Sequence, residues 1–389
     1  MTTFDIVPSE TAAQTVPVTV VDTDVHPMPV STDVLKTYAP ADWVDKIWPR
    51  GNAVAPVSHF YDTPDAFKTS SMRVDAMPPR GGFAGTDPEF AAKQLLLDAG
   101  VSIAVLEPMC DHQLPQHEHV LKSTYNDWLA DVWLNQNNAH GRWRGSVSVS
   151  AQVPADAARE VERWGGHPYM AEVLMTPQTR GIPFGNPHFD PLYEAAARNG
   201  LPIATHLMGQ TPFELIPVYP VGNPAHWHDF FASWPLLYVS HLMSLVFDGA
   251  FDRHPELRVV FVEGGFTWAM PVMSRMDRIW EQRKGDLPHV RRRPSDYVRE
   301  HVRFTTQPLE EVEVETYLEY LDMMDMGDNI MFSTDYPHWS YDSPTWAINR
   351  FPADQRERIM KGNATALYGL PAVVGALPGE RSSGGAEAV

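Results

Sequence analysis

The chain has 389 residues, 43% hydrophobic and 11% aromatic, enough for one large domain or two ordinary ones with a substantial core. A formal charge of −19 excludes a phosphate-neutralising face, so neither nucleic acid nor an anionic membrane is an expected partner. The single cysteine, Cys110, rules out an internal disulfide, and no apolar run approaches the roughly 18 residues a membrane span needs; both features fit a soluble, cytoplasmic protein.

Residues 1–17 are polar and small and read as a flexible arm. A β-branched run from Val18 then ends in Asp22, Asp24 and His26, and Pro27 stops it. Residues 27–90 carry many prolines and glycines, with the aromatics Trp43, Trp48, Phe60 and Tyr61, and read as a long insertion forming a lid or an interface. Asp87 followed by Pro88 is a helix-start signal, opening a helix through residue 98.

From there strand and helix patterns alternate. Strands are expected to start at 18, 101, 143, 170, 201, 257, 302 and 330. Helices are expected over 125–139, 154–164, 191–199, 235–251, 268–283 and 353–361. The basic run Arg291, Arg292 and Arg293 reads as a solvated loop, and 372–389 as a disordered tail. Strands alternating with helices imply a parallel sheet, and eight such units imply an α/β architecture closed into a (β/α)8 TIM barrel, here spanning 18–371. Its site lies at the C-terminal strand ends.

Those strand ends carry chemistry. The first ends in Asp24 and His26, the fifth in His206, the sixth in Glu263 ahead of Gly264 and Gly265, and the eighth in Asp335, with His338 just beyond. Carboxylates and imidazoles converging on one barrel mouth are the donor set of a catalytic divalent metal. Asp24, His26, His206 and Asp335 are therefore the candidate metal ligands, and Glu263, His241 and Asp335 the candidate catalytic residues. Each has a plainer reading. Asp22 would be tied to backbone amides, His26 could cap a turn, and Asp335 could cap the turn that follows it. His241 lies in an apolar helix where a buried, hydrogen-bonded histidine is common. His338 is balanced between supporting the metal ligands and simply belonging to a loop, and His112, His117 and His119 read as surface histidines.

At these residues, and in the runs 191–206, 249–265, 305–311, 332–339 and 362–369, the sequence resembles the amidohydrolase superfamily. The branch is amidohydrolase family 2, related to aminocarboxymuconate semialdehyde decarboxylase, and the likeness runs from 18 to 370. It implies a metal-dependent (β/α)8 barrel with Asp24, His26, His206 and Asp335 around one divalent ion, Zn²⁺ in the first place with Mn²⁺ or another ion open, and a homodimer. Two departures stand out. Better-known members begin with His-x-His or Glu-x-His where this chain has Asp24. Decarboxylase members also place a catalytic histidine in the turn after strand six, where this chain has Glu263, so Glu263 or His241 would handle the proton.

The first functional reading is a metal-dependent carboxy-lyase (a non-oxidative decarboxylase) acting on a small carboxylated, aromatic or conjugated substrate. The alternative is a hydrolase in which Asp335 takes a proton from metal-activated water that attacks an amide, lactone or C–C bond. A non-catalytic scaffold is disfavoured by metal-type residues at four separate strand ends.

Overall fold

The computed structural model describes residues 14–48, 72–110, 115–206, 227–310 and 312–380. In chain order its strands are β1 (Thr15–Pro17), β2 (Val21–Val25), β3 (Ile103–Leu106), β4 (Trp143–Ser148), β5 (Met170–Met175), β6 (Ile203–Thr205), β7 (Val259–Phe261), β8 (Val302–Thr305), β9 (Ile330–Met331) and β10 (Val373–Gly375). Strands β2 to β9 form one parallel sheet in sequential order. Hydrogen bonds from Thr23 N to Phe332 O (3.1 Å), Asp335 N to Asp24 O (3.1 Å) and His26 N to Tyr336 O (2.8 Å) join its two edges. The sheet is thus closed into a (β/α)8 barrel, with all eight expected strands found within a few residues of their expected starts.

Both faces of the sheet are covered, and apolar residues on each face pack it from within and without. Val21, Ile103, Leu174, Ala204, Val260, Val262 and Met331 fill the barrel interior. Val25, Leu106, Val147, Val173, Phe261 and Phe304 face the surrounding helices. The helices Pro154–Trp164 and Asp190–Asn199 stand where the periodicity puts them, the second ended by Gly200 at φ +67°. The expected start at Asp87 is also present, its carboxylate accepting from Phe90 N at 3.0 Å.

Elsewhere the helical boundaries differ from the sequence expectation. The helix expected from 125 begins ten residues earlier, as Pro115–Trp128 continuing into Leu129–Gln136. Its first turns bury Glu118, bonded by Ser150 Oγ at 2.8 Å, and Lys122, whose Nζ donates to Cys110 O at 2.7 Å. Charged residues on the inner face hide the apolar period. Helices Pro294–His301 and Val314–Met324 have only a narrow apolar stripe, such as Tyr317, Leu321 and Met324, and the periodicity passes over them.

The flexible arm over 1–17 and the disordered tail over 372–389 need correction where they meet. β1 and β10 pair antiparallel, with Thr15 opposite Gly375. Val16, Val18, Leu370 and Val374 join the interior core, so this ribbon covers apolar surface at the end of the barrel away from the C-terminal strand ends. Buried Arg142 latches it, donating from Nε to Gly375 O at 2.9 Å and pairing with Glu380. Residues 1–13 and 381–389 lie outside the described residues, as do 49–71 of the insertion and 207–226. His112 lies outside them too.

The described parts of the insertion hold the loop that follows β9. Met72 bridges His338, Arg73 N donates to Pro337 O at 2.9 Å, and the Arg73 guanidinium lies 4.0 Å over the Tyr341 ring. Among the described residues no helix is long and apolar enough to cross a membrane.

Candidate metal centre

Strand β2 delivers two groups to the barrel mouth. Its pairing with β3 shifts register between Asp22 and Val25, so the three polar residues do not share one target. Asp22 turns to the β9 end, where its oxygens accept from Thr334 N at 2.9 Å and Thr334 Oγ1 at 2.6 Å. Burial pushes its carboxyl up to about 8. This is the backbone-tied role expected for it. Asp24 and His26 instead meet His206 from β6 and Asp335 from the β9 end, one candidate ligand atom from each lying within 4.8 Å of the others, all four buried.

His26 Nε2 lies 2.9 Å from Asp24 Oδ1 and 3.1 Å from Asp335 Oδ1. His206 Nε2 lies 3.7 Å from Asp24 Oδ1 and 3.0 Å from Glu263 Oε2. Glu263, Asp335 and His338 form a second, overlapping group with atoms equally close. Three carboxylates and three imidazoles are therefore packed together, all buried except His338 at the edge.

The local chain conformation aims these groups. Glu263 has φ +54° and Asp335 φ +60°, two of four described non-glycine residues at positive φ. Side chains rarely adopt that conformation, and where they do it marks a position fixed by its surroundings. Glu263 is held by its N–H donating to Thr305 Oγ1 at 3.0 Å, and Gly264 lets the Tyr238 ring pack against the turn. Asp335 is held through Oδ2, which accepts from Ser340 Oγ at 2.6 Å and Gln307 Nε2 at 3.2 Å.

Electrostatics divide the two imidazoles. Burial alone would lower His26, but the Asp24 and Asp335 carboxylates outweigh it and push the ring up to about 10. Burial dominates for His206, which is brought down to about 4. Asp335 is driven well below the carboxylate range because the His338 and His26 rings overcome burial. Glu263 goes the other way: burial first, then Asp335 and Asp24, raise it well above that range.

The donor set fits a divalent cation on evidence of this structure. Asp24 is fully buried; its Oδ1 meets His26 Nε2 at 2.9 Å while no donor among the described residues reaches Oδ2, an expensive arrangement unless a further cation shares the carboxylate. The His26 ring is oriented as metal-binding histidines are, with Nδ1 3.0 Å from Glu107 O and Nε2 facing the cluster. The described residues thus contain a site able to hold a divalent metal.

Other expected residues go elsewhere. His241 Nε2 lies 2.7 Å from Pro177 O, and its Nδ1 accepts from Phe184 N at 3.2 Å, with the ring stacked on Phe184 at 3.8 Å. Both nitrogens are committed to backbone, and burial lowers the ring to about 4. This contradicts the expectation of His241 as a proton-transfer residue; it ties the 177–184 segment to the helix Pro235–Phe247. His117 packs edge-on against Trp43 at 5.6 Å, and His119 is half-buried on the same helix.

Two residues were missed. Glu107 ends β3 and is fully buried with neither oxygen accepting a hydrogen bond. Burial, then the neighbouring Glu172 carboxyl, raises it well above the carboxylate range. Glu172 itself accepts from Ser146 Oγ and Tyr368 OH, both at 2.7 Å. The signal was present, since Glu107 before Pro108 closes a strand as His26 before Pro27 does. Gln307, past the end of β8, is the second, and its role shows only in its contact with Asp335.

With this geometry in place, comparison with known proteins gives a consistent likeness. The family model described as amidohydrolase matches residues 21–370. The gamma-resorcylate decarboxylase of Polaromonas sp. (strain JS666) is 28% identical over 258 residues, 63% of this chain and 75% of that protein. An amidohydrolase from Mycobacterium avium subsp. paratuberculosis K-10 superposes with TM-score 0.67 at 19% identity, covering 90% of this chain and 98% of the other. The 5-carboxyvanillate decarboxylase of Novosphingobium aromaticivorans, complexed with manganese and a nitrobenzoic acid, superposes at 0.65 with 16% identity, covering 90% and 96%.

Proposed function

The chain belongs to the amidohydrolase family, and from that premise we propose that it is a metal-dependent decarboxylase of small aromatic or conjugated carboxylic acids. The observation that carries the reading is Glu263, a buried acid beside His206 and Asp335 with a carboxyl raised well above its ordinary range. The matched gamma-resorcylate and 5-carboxyvanillate decarboxylases support it by their activities.

In this reading Asp24, His26, His206 and Asp335 hold the cation. A divalent ion bound there supplies positive charge that attracts an anionic substrate and stabilises charge developing in it. Burial is the first cause of the raised Glu263 carboxyl, ahead of the Asp335 and Asp24 carboxylates, and Glu263 is the acid that carries the proton in this reading. Glu263 gives its proton to the ring carbon that bears the carboxylate. The bond from that carbon to the carboxylate then breaks, its electron pair returns to the ring, and CO₂ leaves. Glu263, now ionised, regains a proton from water. Asp335 is a poor base here, since two imidazoles hold it ionised and Ser340 and Gln307 occupy its second oxygen.

Zn²⁺ and Mn²⁺ are both candidates for the cation. Three nearby carboxylates favour the harder Mn²⁺, the ion bound in the 5-carboxyvanillate decarboxylase complex. A homodimer and a cytoplasmic location complete the proposal; exposed Trp339, Trp346 and Leu236 supply apolar surface for the first, and a single cysteine, the buried Cys110, is compatible with the second.

The test is elemental analysis of the purified protein paired with a CO₂-release screen of hydroxylated and carboxylated benzoates. About one ion per chain with CO₂ evolved supports the proposal. Bound metal with hydrolysis of amides or lactones, and no CO₂ from any acid, replaces it with the hydrolase reading.

A further inference from the structure

His338 is the one imidazole of the cluster that reaches solvent. Its side chain is 14% exposed, against 0% for Asp24, His26, His206 and Asp335. The ring lies 4.6 Å from that of His26, tilted by 36°, which places it immediately beside the candidate metal ligands. Its Nδ1 is 2.5 Å from Asp335 Oδ1. This contact commits Nδ1 to Asp335 and leaves Nε2, on the opposite side of the ring, as its other polar atom. Among the described residues Nε2 has no hydrogen-bond partner, although the chain fixes the position tightly. His338 N donates to Asp335 O at 2.8 Å, Met72 bridges the residue from the insertion, and Arg73 N holds the preceding carbonyl at 2.9 Å.

Orienting Asp335 does not account for this arrangement. Ser340 and Gln307 already hold that carboxylate through its other oxygen, and its placement on the turn is set by the backbone. A rigidly placed ring with one committed nitrogen and one open nitrogen, at the accessible edge of a metal centre, is built to meet a ligand. We propose that His338 contacts the substrate, its Nε2 forming a hydrogen bond to an oxygen of the bound acid. This rests on the decarboxylase reading and deepens it by naming a substrate contact outside the candidate ligand set.

Two isosteric replacements separate substrate contact from support of Asp335. Asparagine offers an amide near the Nδ1 position and nothing at Nε2; glutamine reaches the Nε2 position and loses the Nδ1 contact. The assay uses the acid that wild-type protein decarboxylates, beginning with 2,6-dihydroxybenzoate, and measures kcat, KM and metal content for each variant. His338→Asn is expected to keep about one ion per chain and to lose about 10- to 100-fold in kcat/KM, as removal of a hydrogen bond to bound substrate does. His338→Gln is expected to stay within about threefold of wild type. The inference is overturned if His338→Asn matches wild type, if both variants match it, if only His338→Asn retains activity, or if both lose metal together with activity. Metal-loaded wild-type protein that releases CO₂ from no acid overturns the decarboxylase reading itself, and this inference with it.

Discussion

Removing His241 should uncouple stability from chemistry. In His241→Ala the Phe184 N–H and the Pro177 carbonyl, bonded at 3.2 and 2.7 Å, lose their partner inside the protein. Two unsatisfied buried backbone groups cost about 3 kcal/mol together, at the low end of the usual range. Loss of the ring stacked at 3.8 Å on Phe184 adds about 1 kcal/mol. The total of about 4 kcal/mol is a large part of the roughly 5–15 kcal/mol that holds a typical domain together, so the variant folds but with a much lower urea midpoint. Its turnover, measured with saturating metal at a temperature where it is fully folded, should stay within about threefold of wild type, because neither ring nitrogen faces the cluster. Glu263→Gln should do the reverse, leaving the midpoint nearly unchanged while lowering kcat about 10²- to 10⁴-fold, the range for loss of a general acid. A His241→Ala protein with wild-type midpoint and lost turnover would refute this assignment and return the proton to His241.

Stability should also fall in acid with a definite sign. Burial brings His241, His140 and His167 from the usual 6.5 down to about 4. Between those values the unfolded chain binds more protons, so this contribution is complete above about 6.5 and declines as pH drops toward 4. Urea midpoints at pH 7, 5.5 and 4.5 should show the decline, and it should be shallower in His241→Ala; an equal slope in both would count against the buried neutral ring. Asp24→Ala should purify folded but with metal occupancy near zero by elemental analysis, since the apolar barrel core lies apart from the mouth; full occupancy would remove Asp24 from the ligand set. Gly264→Ala places a Cβ 2.4 Å from the Tyr238 ring and must shift the turn that aims Glu263. We expect turnover to drop more than tenfold (on the order of one lost catalytic hydrogen bond) with metal retained, and unchanged kinetics would show that the turn adapts freely.

The architecture was legible because hydrophobic pattern and barrel geometry are tightly linked. Strand runs such as 103–106 and 259–261 are apolar on both faces, as a doubly covered parallel sheet requires, and counting eight strands alternating with helices implies closure. Closure in turn brings Asp24, His26, His206 and Asp335 together, so four candidate ligands can be named from the strand ends. Periodicity shortens helix 115–136 because Glu118 and Lys122 point inward, and it cannot reveal the ribbon of β1 and β10, whose two halves lie at opposite ends of the chain.

Sequence by itself determined which residue types stand at each strand end, because local pattern marks where a strand stops. It did not decide which histidine serves the centre. His241 and His338 are both single imidazoles near family-like motifs. One is consumed by the backbone of a segment about sixty residues away, and the other is left with an open nitrogen beside Asp335. Nor could it decide that Asp22 is tied to Thr334 while Asp24 faces the imidazoles of the cluster. Those outcomes depend on where hydrogen-bond partners from distant strands arrive in space, and only the closed barrel sets those distances.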